Sequence, residues 1–335
     1  MNILIIRLSS MGDVILATSV FSYLKQEYPQ AKIWFVTQQK YAELFSDDTR
    51  LARVVAVEKG GERDAAQELR SVEWDRIIDL QNSHKSLFLR KGLLSKQPAA
   101  VFQKLHARRW ALLLAGINLY KEGDHVIARY ARAAGCAGKN GFSFPPARLI
   151  IDKKKCEAAK QITSNNTVVR PMIALFPFSA WKNKEWPAGH YAFVGRYFSV
   201  KGWSVVIAGG PQDSAAAEAL KRRIGGQCIS TAGLLSLHET ACLISTCRLA
   251  LGNDTGLSHL ARACGVKTGV IYGPTTSHFG FYPCGDPPYR VFEARQFCRP
   301  CHAHGGNICY AGSRPCLKKV RPEIVIKGLE ALHDE

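Results

Sequence analysis

The sequence predicts an α/β fold of doubly wound parallel sheets in two domains. Three observations predict it. Short apolar runs of strand length alternate with longer amphipathic stretches, the pattern of parallel strands joined by crossover helices. The chain has 335 residues, 47% of them hydrophobic. At roughly 100–200 residues per domain, that length gives two domains, each able to bury a core. The alternation lapses once, around residues 145–170, where Pro145-Pro146 and a basic stretch after Asp152 interrupt it.

In the first half, strands are expected at Asn2–Ile6, Lys32–Val36, Val54–Val57 and Arg76–Leu80. In the second half they are expected at Met172–Phe176, Ser204–Ala208, Leu249–Gly252 and Thr268–Tyr272. Helices are expected at Asp13–Tyr28, Ala65–Val72, His125–Ala134, Ala188–Lys201, Ser214–Ile224, Leu237–Ser245 and Gly256–Cys264. A last helix opens with Pro322 and runs to His333. The domains are placed at 1–155 and 156–320, followed by a closing helix over 321–335. Ligands of such sheets bind beyond the carboxyl ends of the strands, so the loops there are the candidate site.

Charge points to partners rather than to fold. Lys and Arg number 45 against 27 Asp and Glu, a formal net charge of +18. That balance favours phosphorylated sugars, anionic headgroups or nucleic acid. Of the 11 cysteines, Cys136, Cys156, Cys228, Cys242, Cys247, Cys264 and Cys284 are scattered, and such residues read as small free core side chains. The N-terminus lacks the pattern of a signal peptide, and no stretch reaches a membrane-spanning length. A soluble, cytoplasmic protein is expected.

Four strand-end motifs carry chemistry. The first is Arg7-Leu8-Ser9-Ser10-Met11-Gly12-Asp13. Gly12 allows a tight turn, and the serines and following amides suit an anion at a helix N-terminus. Asp13 reads equally as a helix N-cap or as a general base, ionised at neutral pH. The second motif is Phe178-Ser179-Ala180-Trp181-Lys182-Asn183-Lys184-Glu185-Trp186-Pro187. Lys184 offers a compact cation and Ser179 a hydroxyl to a phosphate. A solvated basic loop is the alternative. The third is Ala208-Gly209-Gly210-Pro211-Gln212-Asp213, where the acid suits either a ribose or a helix cap. The fourth is Gly252-Asn253-Asp254-Thr255-Gly256-Leu257-Ser258-His259. Free amides at Thr255 and Gly256 can hold a diphosphate, with His259 one turn into the helix.

These four motifs, in this order and spacing, resemble glycosyltransferase family 9, the ADP-heptose:lipopolysaccharide heptosyltransferases. The resemblance implies a GT-B architecture of two Rossmann-like domains facing across a cleft, with the last helix returning to the first domain. It implies an inverting transfer that needs no cofactor. By that resemblance Asp13 is the general base. Gly12, Ser179, Lys184, Asp213, Asp254, Thr255, Gly256 and His259 serve the ADP-heptose donor, and Asp213 holds its ribose.

On the acceptor side, residues 84–109 contain seven Lys or Arg and no acid, interleaved with Leu87, Phe88, Leu93, Leu94 and Trp110. Such a segment suits an anionic membrane surface or a phosphorylated saccharide, or is a solvated helix face. Ser10, Lys85 and Arg90 are the candidate acceptor contacts. The expected acceptor is an anionic lipid-linked saccharide, with the protein peripheral at the inner face of the membrane.

Late in the chain, Cys298-Arg299-Pro300-Cys301 is followed by Cys309 and Cys316. The C-x2-C pair and four thiols suit a structural Zn or Fe site, with free thiols or disulfides as alternatives. This 298–316 insert is expected to be structural and remote from the transfer. Two other functions stay open at this point. One is a family-9 enzyme with a protein hydroxyl, another saccharide or another nucleotide sugar. The other is a basic zinc-ribbon nucleic-acid binder. Against the second, the cysteines lie far from the basic segment in sequence, and no nucleic-acid partner is expected.

Overall fold

A computed structural model describes residues 1–121, 123–135, 144–166 and 168–335, so Cys136 lies outside the described residues. The chain divides into two units. The first comprises Met1–His106 and Lys121–Ile151, and the second Ala107–Tyr120 and Asp152–Glu335. The crossing back of 107–120 has no composition signal in the sequence.

In the first unit, β1 (Asn2–Ile6) leads into α1 (Met11–Leu16) and α2 (Thr18–Glu27). Then come β2 (Lys32–Gln38), the short α3 (Gln39–Ala42), β3 (Leu51–Val57) and α4 (Glu62–Arg70). The unit continues through β4 (Arg76–Asp79), α5 (His84–Arg90) and β5 (Ala100–Val101). Next in the chain are α6 (His106–Ala115), nearly all of it in the second unit, and α7 (Val126–Ala133) back in the first. The five strands are parallel in the order β3-β2-β1-β4-β5. Leu4, Ile6, Val36, Val55, Ile77 and Trp74 fill one side of this sheet.

The helix expected over Asp13–Tyr28 is interrupted at Ala17, which ends α1 and precedes α2. Thr18 Oγ1 donates to the Ile15 carbonyl at 2.7 Å, and Ser19 Oγ to that of Leu16 at 2.8 Å. Hydroxyls bonded back to carbonyls in this way compete with the helical ladder and bend it.

The second unit holds α8 (Glu157–Asn165), β6 (Met172–Phe176), α9 (Ala188–Val200), β7 (Ser204–Ile207) and α10 (Ser214–Ile224). It continues with β8 (Cys228–Ser230), α11 (Leu237–Ile244), β9 (Leu249–Asn253), α12 (Gly256–Ala263) and β10 (Lys267–Tyr272). It closes with β11 (Tyr289–Glu293), the short α13 (Pro315–Lys318) and α14 (Pro322–Asp334). Its six strands are parallel in the order β11-β10-β9-β6-β7-β8. Every residue of β6 and β9 is buried, which is why they read as unbroken apolar runs. The unpredicted β5, β8 and β11 all lie at or beside sheet edges, where that run is lost.

One expectation is corrected here. Cys156 and Cys242 are joined in a disulfide, 86 residues apart in sequence, because α8 packs beside α11. The closing helix α14 packs on the core of the second unit. Val325, Ile326, Leu329 and Leu332 join the core beneath β9 and β10, and α14 packs on α9 and β10. Its apolar stripe is filled there.

Candidate active site

Strand order fixes where the candidate residues of each unit stand. In the first sheet the winding reverses between β1 and β4, so the loops after those strands form the crevice. The loop after β1 brings Asp13 to the start of α1. Its Oδ1 is 2.7 Å from the Arg7 guanidinium and accepts from the Tyr130 hydroxyl at 3.0 Å. Its Oδ2 accepts from Ser10 Oγ at 2.8 Å. Arg7 also donates to the Leu80 carbonyl at the end of β4, and Gln81 Oε1 accepts from the amides of Leu8 and Ser9 at 3.1 and 3.2 Å. The loop is thus pinned from the end of β4.

Burial pushes the Asp13 carboxyl up, but Arg7, Ser10 and Tyr130 outweigh it and hold the group below the usual carboxylate range. Burial, with the Asp13 charge beside it, pushes the Tyr130 phenol well above its ordinary value, so the phenol stays a donor. Asp13 is therefore an ionised carboxylate with one oxygen saturated by a cation and a phenol. The other oxygen faces a hydroxyl. A second hydroxyl in the place of Ser10 Oγ would find an acceptor already oriented. Gly12 is buried beside it in α1, in the first unit rather than among the donor-side residues of the second.

Of the acceptor candidates, Ser10 is bonded to Asp13. Arg90 Nε lies 3.1 Å from Asp79, which is fully buried at the end of β4 and accepts from the Gln81 and Asn82 amides. Lys85 is paired with Glu62 of α4, an acid outside the basic segment. Lys96 is similarly paired with Asp75 at 2.7 Å. Part of the apparent charge excess is therefore balanced by the fold.

In the second sheet the winding reverses between β6 and β9, and there the second and fourth motifs meet. Lys184 Nζ is 2.7 Å from Asp254 Oδ2 and donates to the Asp254 carbonyl at 2.7 Å. Both side chains are mostly buried, 12% and 11% exposed. Burial raises the Asp254 carboxyl, but Lys184, His259 and a 2.8 Å hydrogen bond from Thr275 Oγ1 hold it low. Thr255 caps α12, yet its Oγ1 is buried with no hydrogen-bond partner among the described residues. An orphan hydroxyl beside the opening amides of α12 and a buried lysine is suited to an anion.

The frame of this half-site is Asn253, which the sequence reading quoted without assigning a role. It is fully buried at the end of β9. Its Nδ2 donates to the Pro177 carbonyl at 3.0 Å, and its Oδ1 accepts from the Trp186 amide at 3.0 Å and the Tyr191 hydroxyl at 3.1 Å. Both ends of the Lys184 loop are tied to one amide. Ser179 Oγ accepts from the Trp181 amide at 3.1 Å, within its own turn. Asp213 Oδ2 accepts from the Gly210 amide at 2.9 Å, so its carboxylate closes its own loop. Thr275, Tyr130 and Arg7 were not singled out as site residues by sequence. Thr275 and Tyr130 carry no motif, and Arg7 stood in the first motif as an unassigned residue.

The four cysteines of the insert are all free. Burial pushes the Cys316 thiol up to about 11, and the electrostatic influence of Cys301, Cys298 and Cys309 reaches it. They therefore share one neighbourhood. Among the described residues, however, no three His, Cys, Asp or Glu side chains are arranged to hold a metal ion. Nor is the insert remote from the donor-side residues, as expected from sequence. The Asn183 amide donates to the Gly306 carbonyl at 2.9 Å, next to Lys184.

Two parallel, doubly wound sheets with an acid at one switch point and a lysine-anchored helix start at the other define a GT-B-like glycosyltransferase. The family model of glycosyltransferase family 9 (heptosyltransferase) matches residues 63–303, and the chain belongs to that family. It is 28% identical over 297 residues to lipopolysaccharide heptosyltransferase 2 of Escherichia coli K12, covering 83% of this chain and 84% of that one. It is 26% identical over 305 residues to lipooligosaccharide heptosyltransferase 2 of Haemophilus influenzae, covering 83% and 85%. Among solved structures, a family 9 glycosyl transferase from Veillonella parvula superposes with a TM-score of 0.81 at 21% identity, over 99% of this chain and 97% of that one. The E. coli ADP-heptose lps heptosyltransferase II superposes at 0.74 with 24% identity, over 99% and 98%. Among the described residues no helix is long and apolar enough to cross a membrane.

Proposed function

We propose that this enzyme transfers heptose from ADP-heptose to an anionic, lipid-linked saccharide of the lipopolysaccharide core, with inversion. The observation that carries the reading is the buried Lys184–Asp254 pair beside the orphan Thr255 hydroxyl. Asp13 Oδ2 takes the proton of the acceptor hydroxyl. The acceptor oxygen, so deprotonated, bonds to the anomeric carbon as the carbon–oxygen bond to the diphosphate breaks. The departing ADP takes the electron pair, and Lys184 with the Thr255 hydroxyl and the Gly256 amide stabilises its charge. General-base help contributes typically about 10²–10⁴-fold, and each preorganised donor on the leaving oxygen about 2.7–4 kcal/mol. Ser179, Asp213, His259 and Gly12 complete the proposed donor contacts. No cofactor takes part.

The acceptor is proposed to approach through Ser10, Lys85 and Arg90, and the cytoplasmic enzyme to rest peripherally on the inner membrane. Exposed Leu87, Phe88, Leu94 and Trp110 among the basic residues support that contact. A Zn or Fe ion at Cys298, Cys301, Cys309 and Cys316 is a separate proposal, supported by their shared neighbourhood. It requires the thiols to draw closer than the structure has them. Metal analysis of purified protein tests it. Equimolar metal that is lost in a four-Cys→Ser variant supports it, and a metal-free folded protein ends it.

The transfer is tested by incubating the enzyme with ADP-heptose and a lipid A-linked core acceptor. Release of ADP together with a heptosylated acceptor is expected. ADP binding without transfer to this acceptor, but with transfer to a protein hydroxyl or another saccharide, would move the assignment to another acceptor. No binding of ADP or ADP-heptose would end it.

A further inference from the structure

The cysteine-rich insert makes contacts that no metal role requires. From residue 299 to residue 314 it grips the loop that carries Lys184 and the loop after β10 whose Thr275 bonds Asp254. On the Lys184 loop, the Asn183 amide donates to Gly306 O at 2.9 Å and the Lys182 amide to Asn307 Oδ1 at 3.3 Å. The buried Asn183 side chain donates to the Ile308 carbonyl. Arg314 Nη1 donates back to the Lys182 carbonyl at 2.7 Å. A Cβ built on Gly305 would stand 2.9 Å from Trp181 Cβ and 3.0 Å from Lys184 Cδ, so the backbone there lies directly on the lysine stem.

On the other loop, the Cys301 amide donates to Pro274 O at 3.0 Å and Arg299 Nη2 to Thr275 O at 3.0 Å. Thr275 in turn bonds Asp254, and Asp254 bonds Lys184. The contacts close a ring: Lys184, Asp254, Thr275, Arg299, then along the insert to Gly305 and back to Lys184. A solvated loop would need none of this, and a segment serving only to cap the sheet would not touch Lys184 and the Thr275 that holds its partner Asp254.

We propose that residues 299–314 are a positioning brace for the donor diphosphate, holding Lys184 and Asp254 in binding register without touching the ligand. The proposal rests on the donor-site reading above, and its test separates the two. ADP binding is measured by calorimetry on the full chain, alongside thermal melting. Arg314→Gly removes the guanidinium that holds the Lys182 carbonyl. It suits the backbone, because Arg314 sits at φ +54°, a conformation glycine adopts freely. Gly305→Ala pushes on Lys184 from the other side. Arg314→Gly is expected to weaken ADP about three- to tenfold, and Gly305→Ala at least as much, with the acceptor KM unchanged. If the wild type does not bind ADP, the donor reading fails. If the wild type binds ADP and Arg314→Gly melts normally but binds ADP equally well, the brace is refuted, whatever happens to Gly305→Ala.

Discussion

The Tyr130 hydroxyl donates to Asp13 Oδ1 at 3.0 Å across 117 residues of sequence. It shares that oxygen with the Arg7 guanidinium at 2.7 Å. One carboxylate oxygen is thereby fixed, and Oδ2, the proposed base, is aimed by residues that need never meet a substrate.

Removing the carboxylate should stop the chemistry and leave the donor half intact. Asp13→Ala is expected to lower kcat by at least about 100-fold while ADP affinity stays nearly unchanged. Steady-state kinetics with calorimetry measure both. A collapse of ADP affinity would make Asp13 a structural cap instead.

Tyr130→Phe should move a pH profile. The phenol favours the charged form of Asp13, as do Arg7 and Ser10, while Asp79 faces Arg7 and Arg129 faces Tyr130. Without it the carboxyl rises toward its ordinary value. The acid limb of kcat/KM shifts upward by about one pH unit, since a hydrogen bond to a charged group is worth about 1.5–3 kcal/mol. A merely structural tyrosine would change the melting temperature and leave the limb where it was.

Acid should destabilise both half-sites. Asp13 and Asp254 are held below their unfolded values, so the stability they contribute is present above about pH 4. It is lost as pH falls through the lowered folded-state values. Urea denaturation from pH 6 down to pH 3 should show a loss that Asp254→Asn reduces.

Lys184→Met leaves Asp254 buried without its cation. Breaking such a pair costs about 3–5 kcal/mol, so the variant should melt earlier and lose ADP binding. Adding Asp254→Asn should recover much of the stability without recovering ADP binding. Recovery of both would deny Lys184 a ligand role.

Asn253→Ala removes an amide that serves four partner groups: the Phe176 and Pro177 carbonyls, the Trp186 amide and the Tyr191 hydroxyl. Stability should fall by about 3 kcal/mol or more, because each orphaned buried group costs about 1–3 kcal/mol. Chemical denaturation measures the loss. A change below about 1 kcal/mol would show that the loop ends hold without it.

The sequence by itself determined the two parallel sheets and singled out the polar loops at their strand ends. Strands such as Met172–Phe176 and Leu249–Asn253 are buried on both faces, so apart from the hydrogen-bonded Asn253 they carry no polar side chain, and the polar loops stand out at their ends. Asp13, Lys184 and Asp254–Gly256 were legible for that reason. Tertiary structure alone decided which distant groups face them. Tyr130 on α7, Thr275 beyond β10, the Cys156–Cys242 bond and the brace from 299 to 314 depend on which elements pack together. So does the partnering of Lys85 and Arg90 with acids outside their own segment. Local periodicity records the face a residue presents, whereas a hydrogen bond across a hundred residues is set by the packing of whole elements, which leaves no spacing to read.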